Sequence, residues 1–122
     1  MSRRWITKFV DAFRGMREGV RGGTSFRDHS VIAFAVVIAA AGLRMSALEW
    51  CVILLCITIV FSAEYFNTAL EAMARAVTKE TDPHIRDALD VAAGAVLTAA
   101  MGSVVVGALV FGHRVGQIVQ WW

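Results

Sequence analysis

Residues 62–71, with the sequence SAEYFNTALE, follow an apolar run that begins near Trp50. In a helix, Glu64, Asn67 and Glu71 fall at positions i, i+3 and i+7, so their side chains share one stripe. A rise of ~1.5 Å per residue puts Glu64 ~21 Å and Glu71 ~31 Å beyond Trp50, toward the far boundary of a ~30 Å hydrocarbon core. Ionisable groups in a membrane are costly and usually mark a functional site. The stretch therefore predicts a membrane helix that carries a site.

A simpler interpretation is that Glu64 and Asn67 only form hydrogen bonds to neighbouring helices, as polar side chains do in transmembrane bundles. Asn67 alone would suit that role. Three polar groups on one stripe, which ends where head groups meet the cytoplasm, favour a site.

Composition places the chain among membrane proteins. It has 122 residues and 57% hydrophobic residues, with a mean hydropathy of +0.60, so we expect one membrane domain over residues 1–122. The net charge of +2 is mild, and the pattern predicts no nucleic-acid partner. Cys51 and Cys56 lie at i and i+5, which is not a zinc spacing, and they are predicted to be packing residues.

The first predicted element is an amphipathic helix over residues 3–21. Its basic residues lie mostly away from its apolar ones, which indicates a surface helix in the cytoplasmic membrane interface. The apolar positions are Trp5, Ile6, Phe9, Phe13, Met16 and Val20. Glycines then break the pattern, and Thr24 or Ser25 is able to cap the next helix.

Three transmembrane helices are expected at 26–48, at 50–77 with a cytoplasmic extension, and at 85–111. The polar stretch 78–84 contains the only proline, Pro83, and should form a cytoplasmic loop. The fold class is therefore all-α: a surface helix plus three membrane spans.

A stripe of small residues at Gly94, Thr98 and Gly102 predicts close helix contact in the third span. This contact could form within one subunit or between subunits.

The distribution of positive charge predicts the orientation. Lysine and arginine are concentrated in the first thirty residues and around 75–86, whereas only Arg44 and Arg114 mark the opposite ends. The positive-inside rule then puts the N-terminus in the cytoplasm and the C-terminus outside, where Trp121 and Trp122 can anchor in the interface.

The polar stripe suits phosphoryl transfer to a lipid. Glu64, near head-group depth, could accept the proton of a lipid hydroxyl, and Glu71 at the aqueous edge could hold Mg²⁺ bound to the phosphates of ATP. Asn67 would position the reacting groups, and Asp90 at the start of the third span would be a further polar partner. The candidate phosphate contacts are Arg14, Arg17, Lys79 and Arg86. His29, at a membrane edge, could bond a head group or a carboxylate, or have a structural role.

Two central motifs also resemble a known family. AEYFNTALEA at 63–72 and DVAAGAVL at 90–97 resemble the small prokaryotic diacylglycerol kinase and undecaprenol kinase family, and the resemblance spans nearly the whole chain. AFRG at 12–15 looks like its surface-helix motif, and FRDH at 26–29 looks like the F-R-x-H of its undecaprenol-preferring branch.

The resemblance implies a homotrimer of three-span subunits in the bacterial cytoplasmic membrane. ATP and Mg²⁺ would phosphorylate a lipid alcohol, diacylglycerol or undecaprenol, in sites shared between neighbouring subunits. By position, Glu64 matches the family's base, Glu71 matches a metal ligand, and Asn67 and Asp90 match supporting polar residues.

Three positions depart from the family pattern. Gly23 stands where a glutamate is usual, so a second metal carboxylate is missing unless Glu18 or Asp28 replaces it. Leu89 stands where a phosphate-binding lysine is frequent, and Arg75 where the family tends to be acidic. Our hypothesis is that Arg75 supplies the positive charge at the nucleotide that is missing because position 89 is leucine.

Two alternative functions follow from the same residues. A small proton-coupled transporter would use the membrane glutamate to bind protons, but Glu71 and Asp90 gather at one interface and do not mark a path across the bilayer. A catalytically degenerate membrane module of the same fold would bind lipid without turnover.

Overall fold

The computed structural model describes residues 3–21 and 24–120, which form four α-helices. They are α1 (Arg3–Arg21), α2 (Thr24–Gly42), α3 (Ala47–Val77) and α4 (Pro83–Ile118). The predicted all-helical class is thus confirmed, and α2, α3 and α4 are each long and apolar enough to cross a membrane. Gly23, Trp121 and Trp122 lie outside the described residues.

α2 is shorter than the predicted span 26–48, because a turn follows Gly42. Arg44 has a φ of 54°, and the N–H groups of Arg44 and Met45 donate to the carbonyls of Ala41 and Ala40. This pair of bonds is the Schellman motif, with Arg44 in the left-handed position that glycine usually takes. Residues 43–46 therefore belong to a turn and not to a membrane helix.

α3 begins at Ala47, three residues before the predicted start, because Ser46 forms a capping box. The Ser46 hydroxyl accepts from the N–H of Glu49, and the Glu49 carboxylate accepts from the N–H of Ser46, so two otherwise unpaired donors are satisfied. The helix ends at Val77, as predicted.

α4 starts at Pro83 because Asp82 caps it, accepting hydrogen bonds from the N–H groups of His84 and Ile85. It continues to Ile118, beyond the predicted limit of 111. α3 and α4 are antiparallel: Glu49 at the start of α3 bonds Arg114 near the end of α4, and Ser103 donates to the carbonyl of Cys56 at 3.4 Å.

α1 leaves its apolar face uncovered within the chain, which is what a helix in the membrane interface requires. All six predicted apolar positions are exposed, from Trp5 to Val20. The C-terminal end of α1 meets α3 closely at Gly19 and Tyr65.

Candidate active site

Glu64 is the buried charged residue of α3, with only 2% of its surface exposed. The Ser25 hydroxyl donates to its Oε1 at 2.6 Å, and Nδ1 of His29 donates to the same oxygen at 2.5 Å. A buried carboxylate is expensive unless hydrogen bonds compensate for the lost water. The two donors from α2 therefore compensate for the burial of the Glu64 carboxylate. For His29, the sequence allowed a bond to a head group or to a carboxylate, and the structure shows the bond to the carboxylate.

Phe26 brings the two donors to Glu64. Its ring stacks on Phe61 with centroids 5.0 Å apart and lies 5.4 Å from Tyr65. Phe61 and Tyr65 flank Glu64 by three residues and one residue in α3, so this aromatic cluster fixes the start of α2 against the same turn of α3. Ser25 and His29, one helical turn apart, consequently face Glu64 together.

Asn67 and Glu71 form a second polar pair on α3, one turn apart. The amide nitrogen of Asn67 donates to Oε1 of Glu71 at 2.9 Å. The amide oxygen of Asn67 is buried and has no hydrogen-bond partner among the described residues. An unpaired buried acceptor is costly, so this oxygen is suited to receive a donor or a cation that binds at the site.

No group of three or more histidine, cysteine, aspartate or glutamate residues converges to hold a metal within 3–21 and 24–120. Mg²⁺ does not require such a group, because it usually takes one or two carboxylates and keeps water and substrate phosphates as its other ligands. The carboxylate of Glu71 and the unpaired oxygen of Asn67 are hard oxygen donors of this kind. These two residues fit Mg²⁺ delivered with a nucleotide.

A cleft of about 720 Å³ lies between α1 and α3. Three charged residues line it: Glu18, Arg21 and Arg75. Two of them, Glu18 and Arg75, were predicted at the nucleotide from sequence. Arg21 was not selected, although it lies one turn after Arg17 on the same basic helix.

The other predicted phosphate contacts lie outside this cleft. Arg14 pairs with Asp11 at 3.1 Å on the exposed side of α1, and Arg17, Lys79 and Arg86 are exposed.

Asp90 is exposed on α4. In the part of the chain that the structure describes, it forms no hydrogen bond with Glu64 or with the Asn67–Glu71 pair. The structure thus brings Ser25, His29 and Glu64 together but leaves Asp90 apart within one subunit.

An apolar groove of about 420 Å³ runs between α2, α3 and α4. Its walls are almost wholly aliphatic and aromatic, and His29 lies at the end nearest Glu64. The opposite end is formed by Val110 and Phe111. The imidazole therefore contacts the buried carboxylate and also borders the groove.

Ser25 is a second site residue that sequence reasoning missed, because it was interpreted as a helix cap. The signal was its spacing of four residues from His29, which puts both polar groups on the same face of the helix.

Three membrane-capable helices around a buried, hydrogen-bonded carboxylate define an integral-membrane protein with a polar site at one end of its bundle. The model of the prokaryotic diacylglycerol kinase family matches residues 10–111, and the chain belongs to this family. The family resemblance deduced from the central motifs is confirmed.

Two relatives are similar over most of this chain. Undecaprenol kinase from Bacillus subtilis is 38% identical over 108 residues, which is 88% of each chain. Diacylglycerol kinase from Synechocystis sp. is 33% identical over 103 residues, which is 84% of this chain and 59% of that enzyme. The chain is therefore a multi-pass membrane lipid kinase.

Proposed function

We propose that this lipid kinase transfers the γ-phosphate of ATP to the hydroxyl of undecaprenol, at the cytoplasmic face of the bacterial cytoplasmic membrane. The higher similarity to a protein named undecaprenol kinase, together with FRDH at 26–29, favours undecaprenol over diacylglycerol. The clamped, buried carboxylate of Glu64 is the single observation that carries the proposal. The product, a phosphorylated polyprenol, would serve as a lipid carrier for the cell envelope.

Glu64 acts as the general base. Both of its hydrogen bonds end on Oε1, so Oε2 is the oxygen that receives the proton of the lipid hydroxyl. The alkoxide oxygen that develops then attacks the γ-phosphorus, and the bond to the β-phosphate oxygen breaks. A positioned base of this kind contributes about 10²- to 10⁴-fold to a rate.

The apolar groove takes the start of the isoprenoid chain. Its aliphatic walls offer dispersion contacts to a hydrocarbon, and His29 at its end joins it to Glu64. A lipid whose tail lies in this groove has its hydroxyl next to the base.

Glu71 and Asn67 would hold the Mg²⁺ that arrives with ATP. When bound there, the ion would supply positive charge to the phosphates during transfer. Glu18 lines the cleft between α1 and α3 and Asp28 does not, so Glu18 is the better replacement for the carboxylate missing at Gly23. Asn67 and Glu71 are not part of the lining of that cleft and lie on the adjacent face of α3.

The cleft between α1 and α3 takes the nucleotide. Arg21 and Arg75 on its walls supply positive charge to the phosphates. Arg75 thus takes the role of the phosphate-binding lysine that is frequent in the family at the position of Leu89. Arg14, Arg17, Lys79 and Arg86 contribute to the surrounding positive field at the membrane surface.

The active form is a homotrimer, in which Asp90 of a neighbouring subunit completes the site. The small-residue stripe of α4 supports this assembly: a Cβ built at Gly94 or at Gly102 meets nothing within 4 Å. The close contact that this stripe predicts is therefore not used within the described chain and is available to a second copy.

The N-terminus faces the cytoplasm in this proposal. The charges of α1 and of the loop between α3 and α4 support it through the positive-inside rule, and ATP is then on the same side as Glu71.

The test is ATP-dependent phosphorylation by the full chain in mixed micelles, with undecaprenol and diacylglycerol offered separately and Glu64→Gln as the control. We expect transfer to undecaprenol that requires Mg²⁺ and is lost in Glu64→Gln. Transfer only to diacylglycerol would overturn the substrate. No transfer to either lipid by folded protein would favour the degenerate module, and proton flux along a pH gradient without ATP would favour the transporter.

A further inference from the structure

Both hydrogen bonds to Glu64 come from α2 and converge on one oxygen. Ser25 Oγ lies 2.6 Å and His29 Nδ1 lies 2.5 Å from Oε1. The terminal torsion of a glutamate is broad and roughly two-fold, so a carboxylate with ordinary contacts samples many orientations. Two donors on one oxygen restrict that torsion, so Oε2 is the oxygen left available to the substrate.

His29 has a second contact that Ser25 lacks. Its ring borders the apolar groove between α2, α3 and α4, and its side chain is 23% exposed whereas that of Glu64 is 3% exposed. The ring thus fixes both the orientation of the carboxylate and the end of the surface along which a lipid tail would lie.

We propose that His29, assisted by Ser25, is the positioning residue that aims Oε2 of Glu64 at the lipid hydroxyl, through a hydrogen bond from Nδ1. The inference deepens the proposed lipid kinase reaction and rests on Glu64 being its base. His29 takes no proton from the substrate: its contribution is the direction of the carboxylate relative to the groove.

The decisive comparison is His29→Asn against His29→Gln, because the two amides place their N–H groups differently. The amide nitrogen of asparagine lies near the position of Nδ1, whereas that of glutamine lies near the position of Nε2. Neither amide can act as a base, so any activity in these variants comes from positioning alone.

We expect His29→Asn to keep kcat within about 3-fold of wild type and His29→Gln to lower kcat about 10- to 100-fold, since a base misplaced by about 1 Å loses a rate factor of this size. The KM values for ATP and for undecaprenol should stay within about 2-fold in both variants, because ground-state binding is not altered. His84→Gln, at the exposed start of α4, is the matched histidine control and should leave both parameters unchanged.

Ser25 provides a second test if His29→Gln does not fold, because Ser25 is exposed at the start of α2. Ser25→Ala should lower kcat about 3- to 10-fold, the equivalent of one typical intramolecular hydrogen bond, and Ser25→Thr should restore it. Equal kcat in Ser25→Ala and Ser25→Thr would overturn the part assigned to Ser25.

Three outcomes overturn the role of His29. Equal activity of His29→Asn and His29→Gln near the wild-type level would show that the bond does not matter. Loss of more than about 100-fold in both would assign the proton to His29 itself. A rise in the KM for undecaprenol at constant kcat would make His29 a lipid contact.

The same assay separates this inference from the proposed function. If the wild-type protein is active and Glu64→Gln is not, the role of Glu64 as the base is supported. The comparison of His29→Asn with His29→Gln then tests the positioning role separately. Full activity in Glu64→Gln would overturn the base and the positioning role together.

Discussion

Gly19 of α1 lies directly against the ring of Tyr65 in α3, so closely that a Cβ at Gly19 would come within 2.7 Å of Cε1 of Tyr65. Both residues line the cleft that we assign to the nucleotide, and Tyr65 directly follows Glu64 in the sequence. Gly19→Ala should therefore force α1 away from α3 and raise the KM for ATP about 10-fold, because the phosphate contacts on α1 shift relative to α3.

Gly15 lines the same cleft, but a Cβ at Gly15 meets nothing within 4 Å. Gly15→Ala is therefore the control that adds a methyl group to the cleft without the clash with Tyr65. Alanine favours helix over glycine by ~1 kcal/mol, so this variant should be active and at least as stable as wild type. Equal ATP kinetics in the two variants would show that the contact with Tyr65 does not shape the cleft.

Phe26 anchors the donors of Glu64, and Phe26→Ala should separate them from it. The loss of two aromatic contacts should lower the free energy of unfolding by about 1 kcal/mol or more. It should also lower kcat about 10-fold, because Ser25 and His29 move relative to Glu64. Thermal denaturation in detergent and steady-state kinetics would measure both. Phe34→Ala, at a 69% exposed position of the same helix, should change neither, and an equal effect there would exclude a specific anchor.

Glu71 is the predicted protein carboxylate at Mg²⁺. Glu71→Gln should raise the Mg²⁺ concentration needed for half-maximal rate about 10-fold or more, because a neutral amide is a weaker ligand for a hard cation. Titration of Mg²⁺ at saturating ATP would measure it. Glu80→Gln, in the exposed loop before α4, serves as the control, and an unchanged Mg²⁺ requirement in Glu71→Gln would remove Glu71 from the metal site.

Arg75 borders the cleft between α1 and α3, whereas Lys79 lies outside it. Arg75→Ala should raise the KM for ATP about 10-fold or more, the equivalent of one charge-assisted hydrogen bond. Lys79→Ala should change it less than about 3-fold, as expected for a screened surface charge. The hypothesis about Arg75 fails if its removal leaves the KM for ATP unchanged.

Arg44 occupies a left-handed conformation, with a φ of 54°, that glycine adopts without steric cost. Arg44→Gly should raise the free energy of unfolding by about 1 kcal/mol, measured by equilibrium unfolding in mixed micelles. Arg44→Ala removes the same charge but keeps the Cβ, so it should give no gain. Equal stability of the two variants would attribute the change to charge and not to backbone strain.

Local periodicity was sufficient to predict the helices and the polar stripe of α3. The spacing of Glu64, Asn67 and Glu71 is a property of one helix, and α3 does contain the buried Glu64 and the bonded Asn67–Glu71 pair. The turn after α2 was placed less accurately, because a Schellman motif is usually signalled by glycine and here carries arginine.

Contacts between helices could not be predicted in the same way. Ser25 and His29 are separated from Glu64 by 39 and 35 residues, and their meeting depends on the packing of Phe26 against α3. The cleft with Arg21 likewise depends on the contact of Gly19 with Tyr65. Helical periodicity describes positions within one helix and therefore does not predict either of these contacts between helices.

α3 is one unbroken helix of 31 residues, about 46 Å long, and thus exceeds the ~30 Å hydrocarbon core of a bilayer. The end of α3 opposite the site is fixed by the capping box at Ser46 and by the bond between Glu49 and Arg114. Glu64 lies about 22 Å from Glu49 along the helix axis. The rigid length of α3 therefore sets the depth of the Glu64 carboxylate relative to the head groups. Membrane thickness would thereby affect the proposed reaction, because a thicker bilayer would move Glu64 away from the plane at which we propose that the lipid hydroxyl meets ATP.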